Sequence, residues 1–202
     1  MKTVYICGDS FAVPDQEYGE CWVDLLSAHV DIVNLSKVCA SNLMISKQVD
    51  YAISKKPDYI ICLGTSSTRQ DIMYNGELIS YSIHSINDTT KFNQTEKDVL
   101  KTHAVKFFNL DISVYLNQCV IENTLQKLVD SSVPFIFDRG GFEHRSFVGS
   151  KQTEYFVKYQ LYISDINLWD YAKSRAFRPY YHITDTEAHQ HIAKYFLDKI
   201  NT

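Results

Sequence analysis

A strand-like run, Thr3-Val4-Tyr5-Ile6-Cys7, breaks at Gly8-Asp9-Ser10-Phe11 and leaves a serine just past its end. A serine hydroxyl turns nucleophilic when a base takes its proton and donors hold the developing oxyanion. The chain carries candidates for each part. Ser10 reads as the nucleophile and His182, near the other end, as the general base. The oxyanion donors would be the backbone N–H groups of Ser10 and Cys39 with a side chain from the loop after Gly64. A Gly-x-Ser-x-Gly elbow is missing, and here the nucleophile precedes everything else in the chain. Gly, Asp and Ser are also ordinary turn residues, so the tripeptide alone reads equally well as a βα loop without chemistry.

Positioning such a set requires strands that end on one edge. The run through Cys7 has strand composition. Trp22, Leu25, Leu26 and His29 fall at helical spacing, Asp31 to Leu35 reads as a second strand, and Ser41-Asn42 caps a helix with Ile45, Val49, Ala52 and Ile53 on one face. Asp58 to Leu63 is a continuous apolar run, as in a central parallel strand buried on both faces. The order strand, helix, strand, helix, strand predicts a doubly wound α/β sheet with its ligand outside the carboxyl ends of the strands. Ser10, the 36–42 loop and the 64–69 loop then share one edge. Asn75-Gly76 predicts a hairpin turn inside a polar stretch, 70–98, read as an inserted arm or lid on a single domain, 1–202. Further helices follow from Leu100, Ala104, Phe107 and Phe108 and from Ile121, Leu125, Leu128 and Val129, with a break near Asn109 to Asp111. Val133 to Phe137 is a fourth strand, leading to Asp138-Arg139-Gly140-Gly141 at the same edge. Thr184-Asp185-Thr186-Glu187 is a capping-box pattern ahead of a final helix buried through Ala188, Ile192, Tyr195 and Phe196.

The 202 residues are 45% hydrophobic with a net charge of −4, which suits one globular domain and provides no clustered basic face for nucleic acid. No stretch approaches the length of an apolar membrane span, and the start leads directly into a strand, so a membrane is not an expected partner and a cytoplasmic setting is expected. The five cysteines have no Cys-x-x-Cys spacing and read as reduced core residues. His189 and His191 lie two apart on a helix and do not face one ligand with His182, so neither metal nor other cofactor is expected.

These blocks resemble the SGNH or GDSL hydrolases, esterases, lipases and carbohydrate deacetylases on a three-layer, flavodoxin-like α/β/α sandwich. Gly8-Asp9-Ser10-Phe11 is similar to the family's first block, which implies the nucleophile role and one oxyanion N–H for Ser10. Asn34 to Asn42 resembles the second block, with Cys39 where the family has its oxyanion glycine and Asn42 counted among the substrate-binding residues. Leu63-Gly64-Thr65-Ser66-Ser67 resembles the third, with Ser66 in place of the oxyanion asparagine and Arg69 nearby. Tyr181-His182 and the helix after it resemble the last block, with Pro179 where an aspartate is usual. The acid is accordingly open among Asp185, Asp165 and a Ser10–His182 dyad oriented by a carbonyl. A serine-rich third block followed by arginine also resembles divergent members encoded by tailed phages. Arg69, Arg139 and Arg145 at the carboxyl edge suit an anionic substrate or solvent equally. The resemblance implies hydrolysis of a small ester or an acetylated glycan through an acyl-Ser10 intermediate. The competing readings are a degenerate hydrolase fold used for binding or assembly, and a flavodoxin-like binder of a phosphorylated ligand.

Overall fold

The computed structural model describes residues 1–13, 20–82, 85–87, 90–140, 158–168, 170–171, 183 and 185–202. Its centre is a four-stranded parallel sheet of β1 (Thr3–Cys7), β2 (Asp31–Asn34), β3 (Tyr59–Leu63) and β6 (Phe135–Asp138), in the order β2-β1-β3-β6. The chain adds β2 on one side of β1 and β3 on the other. Strand order therefore reverses at β1, and such a switch point opens a crevice at the carboxyl edge.

Alternation along the strands divides the core into two layers. Val4, Ile6, Ile61, Leu63 and Ile136 face α1 (Trp22–Ser27) and the last helix, α5 (Thr186–Asn201). Cys7, Ile60, Cys62, Phe135 and Phe137 face α2 (Asn42–Lys55) and α4 (Leu110–Ser131). The result is a three-layer α/β/α sandwich, as the sequence order requires. Trp22 and Phe196, both fully buried, meet at 5.0 Å between ring centroids and join α1 to α5.

The polar stretch after β3 begins as an antiparallel hairpin of β4 (Gln70–Tyr74) and β5 (Glu77–Tyr81). Asn75 and Gly76 at its tip both have positive φ, 51° and 80°, the backbone of a two-residue primed turn. The Asp71 carboxylate accepts from the Ser41 and Ser80 hydroxyls, each at 2.6 Å, which docks the hairpin on the N-cap of α2. Tyr74 donates to Glu96 at 2.9 Å and ties its far end to α3 (Gln94–Lys106).

Several boundaries differ from those read off the sequence. Pro134, with no N–H for a ladder, stays outside β6, which begins at Phe135. Asp185 caps α5, its carboxylate accepting from Glu187 N at 2.9 Å, so the helix starts one residue later than a capping box opening at position 184 places it. Helix α3 buries only Ala104, whereas Phe107, Leu110, Ile112, Tyr115 and Leu116 are exposed around its junction with α4. Cys7, Cys21 and Cys62 are core thiols, but Cys39 is half-buried and Cys119 exposed. No helix among the described residues is long and apolar enough to cross a membrane.

Candidate functional site

Ser10 opens a 3-10 turn, Ser10–Ala12, directly beyond β1, and is 7% exposed. The turn is held from several elements at once. Asp9 caps it, its Oδ1 accepting from Phe11 N at 3.1 Å. Gly8 is gripped by the Gln48 side chain of α2, whose Oε1 accepts from Gly8 N at 2.7 Å and whose Nε2 donates to Gly8 O at 3.2 Å. The Asn34 amide at the end of β2 donates to Ala12 O at 2.6 Å, and the Trp22 indole to Phe11 O at 2.8 Å. Gly8 is not in the left-handed region. A side chain there would crowd Leu63 on β3, since its Cβ would lie 3.1 Å from that of Leu63.

Asp9 is fully buried and could not remain charged without partners. Its Oδ2 accepts from the Thr65 hydroxyl at 2.7 Å and faces Arg69 Nη2 at 3.4 Å. Arg69, expected at the edge toward substrate, is itself only 9% exposed and turned to this carboxylate. Asn42 is 3% exposed and clasps the same loop, its amide donating to Thr65 O and Asn117 Oδ1 while its carbonyl accepts from Thr65 N. Ser66 is half-buried, with its hydroxyl 2.8 Å from Thr68 Oγ1 and accepting from Thr68 N.

Cys39 is the third residue of a turn closed by Ala40 N on Lys37 O at 3.1 Å, and its φ is 64°. That is a glycine-favouring conformation, which a side chain adopts at a cost of about 1 kcal/mol. The backbone of a glycine position is thus kept while its residue is not. Lys37 N also donates to Gly8 O, so this turn and the Ser10 turn are stitched together.

The loops after β3 and β6 meet at Gly64 and Gly140. Gly64 N donates to Asp138 O at 2.8 Å, and a Cβ on Gly140, whose φ is 76°, would lie 1.8 Å from Gly64 O. Asp138 is fully buried beneath this contact, accepting from Gly140 N at 2.7 Å. Burial pushes its pKa up to about 7, against the opposing pull of the Gly140 N–H, the Ser164 hydroxyl, the Leu168 N–H and the Arg139 charge. Arg139 itself is half-buried.

His182, Pro179 and Arg145 lie outside the described residues, as does the aromatic run 177–181. Of the carboxylates considered as acid, Asp185 caps α5 three residues after His182, and Asp165, well exposed, pairs with Lys199 at 2.9 Å. The described residues contain no group of three His, Cys, Asp or Glu able to hold a metal ion. Gln48 is a site-supporting residue that the motif reading passed over, and Asp138 and His189 entered it only as a loop residue and as a discounted metal ligand. The available signal was a polar residue on an otherwise apolar helix face or at a buried strand end.

No family model and no curated protein matches this sequence. Solved structures do match over its whole length. Esterase EstA from Pseudoalteromonas sp. shares 14% identity with a TM-score of 0.55, covering 100% of this chain and 97% of its own. The acetylxylan esterase Axe2 from Geobacillus stearothermophilus shares 13% at 0.55, with 100% and 94% covered. A lipase/acylhydrolase from Enterococcus faecalis shares 12% at 0.52, with 99% and 95% covered. At this identity the likeness is one of fold, and the fold of this chain is that of the SGNH-type esterases and acylhydrolases.

Proposed function

We propose that the chain is a serine ester hydrolase of the SGNH type, with Ser10 as nucleophile and His182 as general base. The observation that carries this reading is the Ser10 turn. It stands at the switch point of the sheet, held by Gln48, Asn34, Trp22 and Asp9, on a fold shared with esterases. A plain surface turn has no need of anchors from the next strand and two different helices.

In the reaction, Ser10 Oγ attacks the ester carbonyl carbon as His182 takes its proton. The N–H groups of Ser10 and Cys39 and the Ser66 hydroxyl receive the oxyanion. Collapse expels the alcohol with the proton from His182 and leaves acyl-Ser10. Water, deprotonated by His182, then attacks the acyl carbon and releases the carboxylic acid with Ser10 regenerated. Asp185 supplies the negative charge that favours the imidazolium. The Axe2 likeness supports an acetyl group on a glycan hydroxyl as the preferred substrate class, with Arg139 on the acceptor side and Asn42 and Arg69 bracing the loop after β3 from within.

Hydrolysis of p-nitrophenyl acetate tests the reading. Wild-type turnover should fall to background in Ser10→Ala and His182→Ala. Asp185→Asn keeps an equally good helix cap and should lower kcat by about 10³-fold. An unchanged kcat in Asp185→Asn would reduce the site to a dyad, and turnover that survives Ser10→Ala would remove the proposed nucleophile.

A further inference from the structure

His189 lies on the inner face of α5, 7% exposed, and its two ring nitrogens are both engaged. Nδ1 lies 3.2 Å from the backbone N of Trp22, and Nε2 lies 3.0 Å from the carbonyl O of Ile183. A backbone N–H only donates and a carbonyl only accepts, so the two partners set the tautomer. The proton is on Nε2, Nδ1 is the acceptor, and the ring is neutral. Trp22 is the first residue of α1, whose N–H has no partner within its own helix, so His189 satisfies it from another element. The Trp22 indole then donates to Phe11 O at 2.8 Å, beside Ser10.

We infer that His189 is a positioning residue. Through one neutral imidazole it fixes the backbone at Ile183, which directly follows His182 in the chain, against the turn that carries Ser10. The inference rests on the Ser10–His182 reading for its catalytic consequence, but the tie itself does not. The route runs Ile183 O, His189, Trp22, Phe11 O, and crosses α5 and α1 to reach the end of β1. The Ser10 turn and the residue that follows His182 in the chain are thereby referred to one buried imidazole. Burial holds the imidazole pKa below its usual value, opposed by the Ile183 carbonyl and by the Asp185 and Asp24 carboxylates, which agrees with a ring kept neutral.

Two substitutions separate the ends, because an Asn amide overlays Nδ1 and a Gln amide overlays Nε2. His189→Asn retains an acceptor for Trp22, and His189→Gln retains a donor for Ile183. Both should lower kcat for p-nitrophenyl acetate about 10- to 100-fold with KM within about two-fold, well below their melting temperatures. His191→Gln, exposed on the same helix, should match wild type. In ¹⁵N NMR of the full wild-type chain, His189 should be the neutral Nε2–H tautomer at pH 7. His189→Gln should also shift the Trp22, Phe11 and Ser10 amide signals. If both variants melt lower yet keep kcat, His189 is structural only and the inference is overturned. A wild-type Nδ1–H tautomer, or unshifted Ser10 and Phe11 amides, overturns it even if neither variant folds well. Failure of the hydrolase reading looks different: no Ser10-dependent turnover in wild type, with the predicted tautomer and amide shifts still present and the tie supported.

Discussion

At the scale of single residues, the site depends on one buried ion pair. The Asp9 carboxylate is wholly enclosed, and Arg69 and Thr65 are what make its charge tolerable. Removing Arg69 takes the guanidinium away from that charge, and breaking a buried pair in this way costs about 3–5 kcal/mol. Arg69→Ala should therefore lower the urea midpoint by that equivalent and slow turnover by loosening the Ser10 turn. A surface arginine would show less than about 1 kcal/mol. The turn at Gly8-Asp9-Ser10 was legible in the sequence because turn chemistry is local. The burial of Arg69 was not, since its partner lies sixty positions away and only the sheet brings them together. Cys39 is a mixed case. Its slot was recognisable from neighbouring residues, and its positive φ is a backbone conformation that favours glycine although a cysteine occupies it.

At the scale of elements, two loops after adjacent strands are locked by a glycine contact rather than by side chains. Any Cβ at Gly140 would overlap Gly64 O and would also have to adopt φ 76°. Gly140→Ala should destabilise the fold by about 2 kcal/mol or more, with the largest hydrogen-exchange losses in the 64–69 loop. A uniform small loss across the chain would contradict a local lock. Strand existence and order were readable from apolar runs and their spacing, and the Asn75-Gly76 turn from two residues alone. Helix α3 and the break after it were legible too, but not how little of α3 is buried. Its Leu100, Ala104 and Phe107 have helical spacing, but the helix lies where only Ala104 finds a core to enter. Periodicity reports a possible face, whereas topology decides whether that face meets anything.

For the whole molecule, acidity acts on two buried groups in opposite senses. Asp138 has a folded pKa of about 7 against 3.8 unfolded, so the folded state holds a proton that the unfolded state releases. Its contribution is full below the lower value and is lost as pH rises toward 7. His189 has a lowered pKa, so its contribution is full above about 6.5 and is lost on acidification below that. Asp138→Asn keeps the acceptor for Gly140 N and removes the titration. Its melting temperature should exceed wild type at pH 8 and approach it near pH 4; a constant offset at both would mean that Asp138 does not titrate with folding. The three-layer architecture was legible from the order of elements alone, while the way helices reach across layers to brace Ser10, through Gln48 and Trp22, required the packed fold. That bracing is what the hydrolase account explains. A fluorophosphonate reacts with an activated serine hydroxyl and so probes the proposed nucleophile directly. The most direct measurement is intact-mass and peptide mapping after treatment with a fluorophosphonate. The account predicts a single adduct on Ser10, absent in Ser10→Ala; an unmodified Ser10, or an adduct elsewhere that persists in Ser10→Ala, would contradict it.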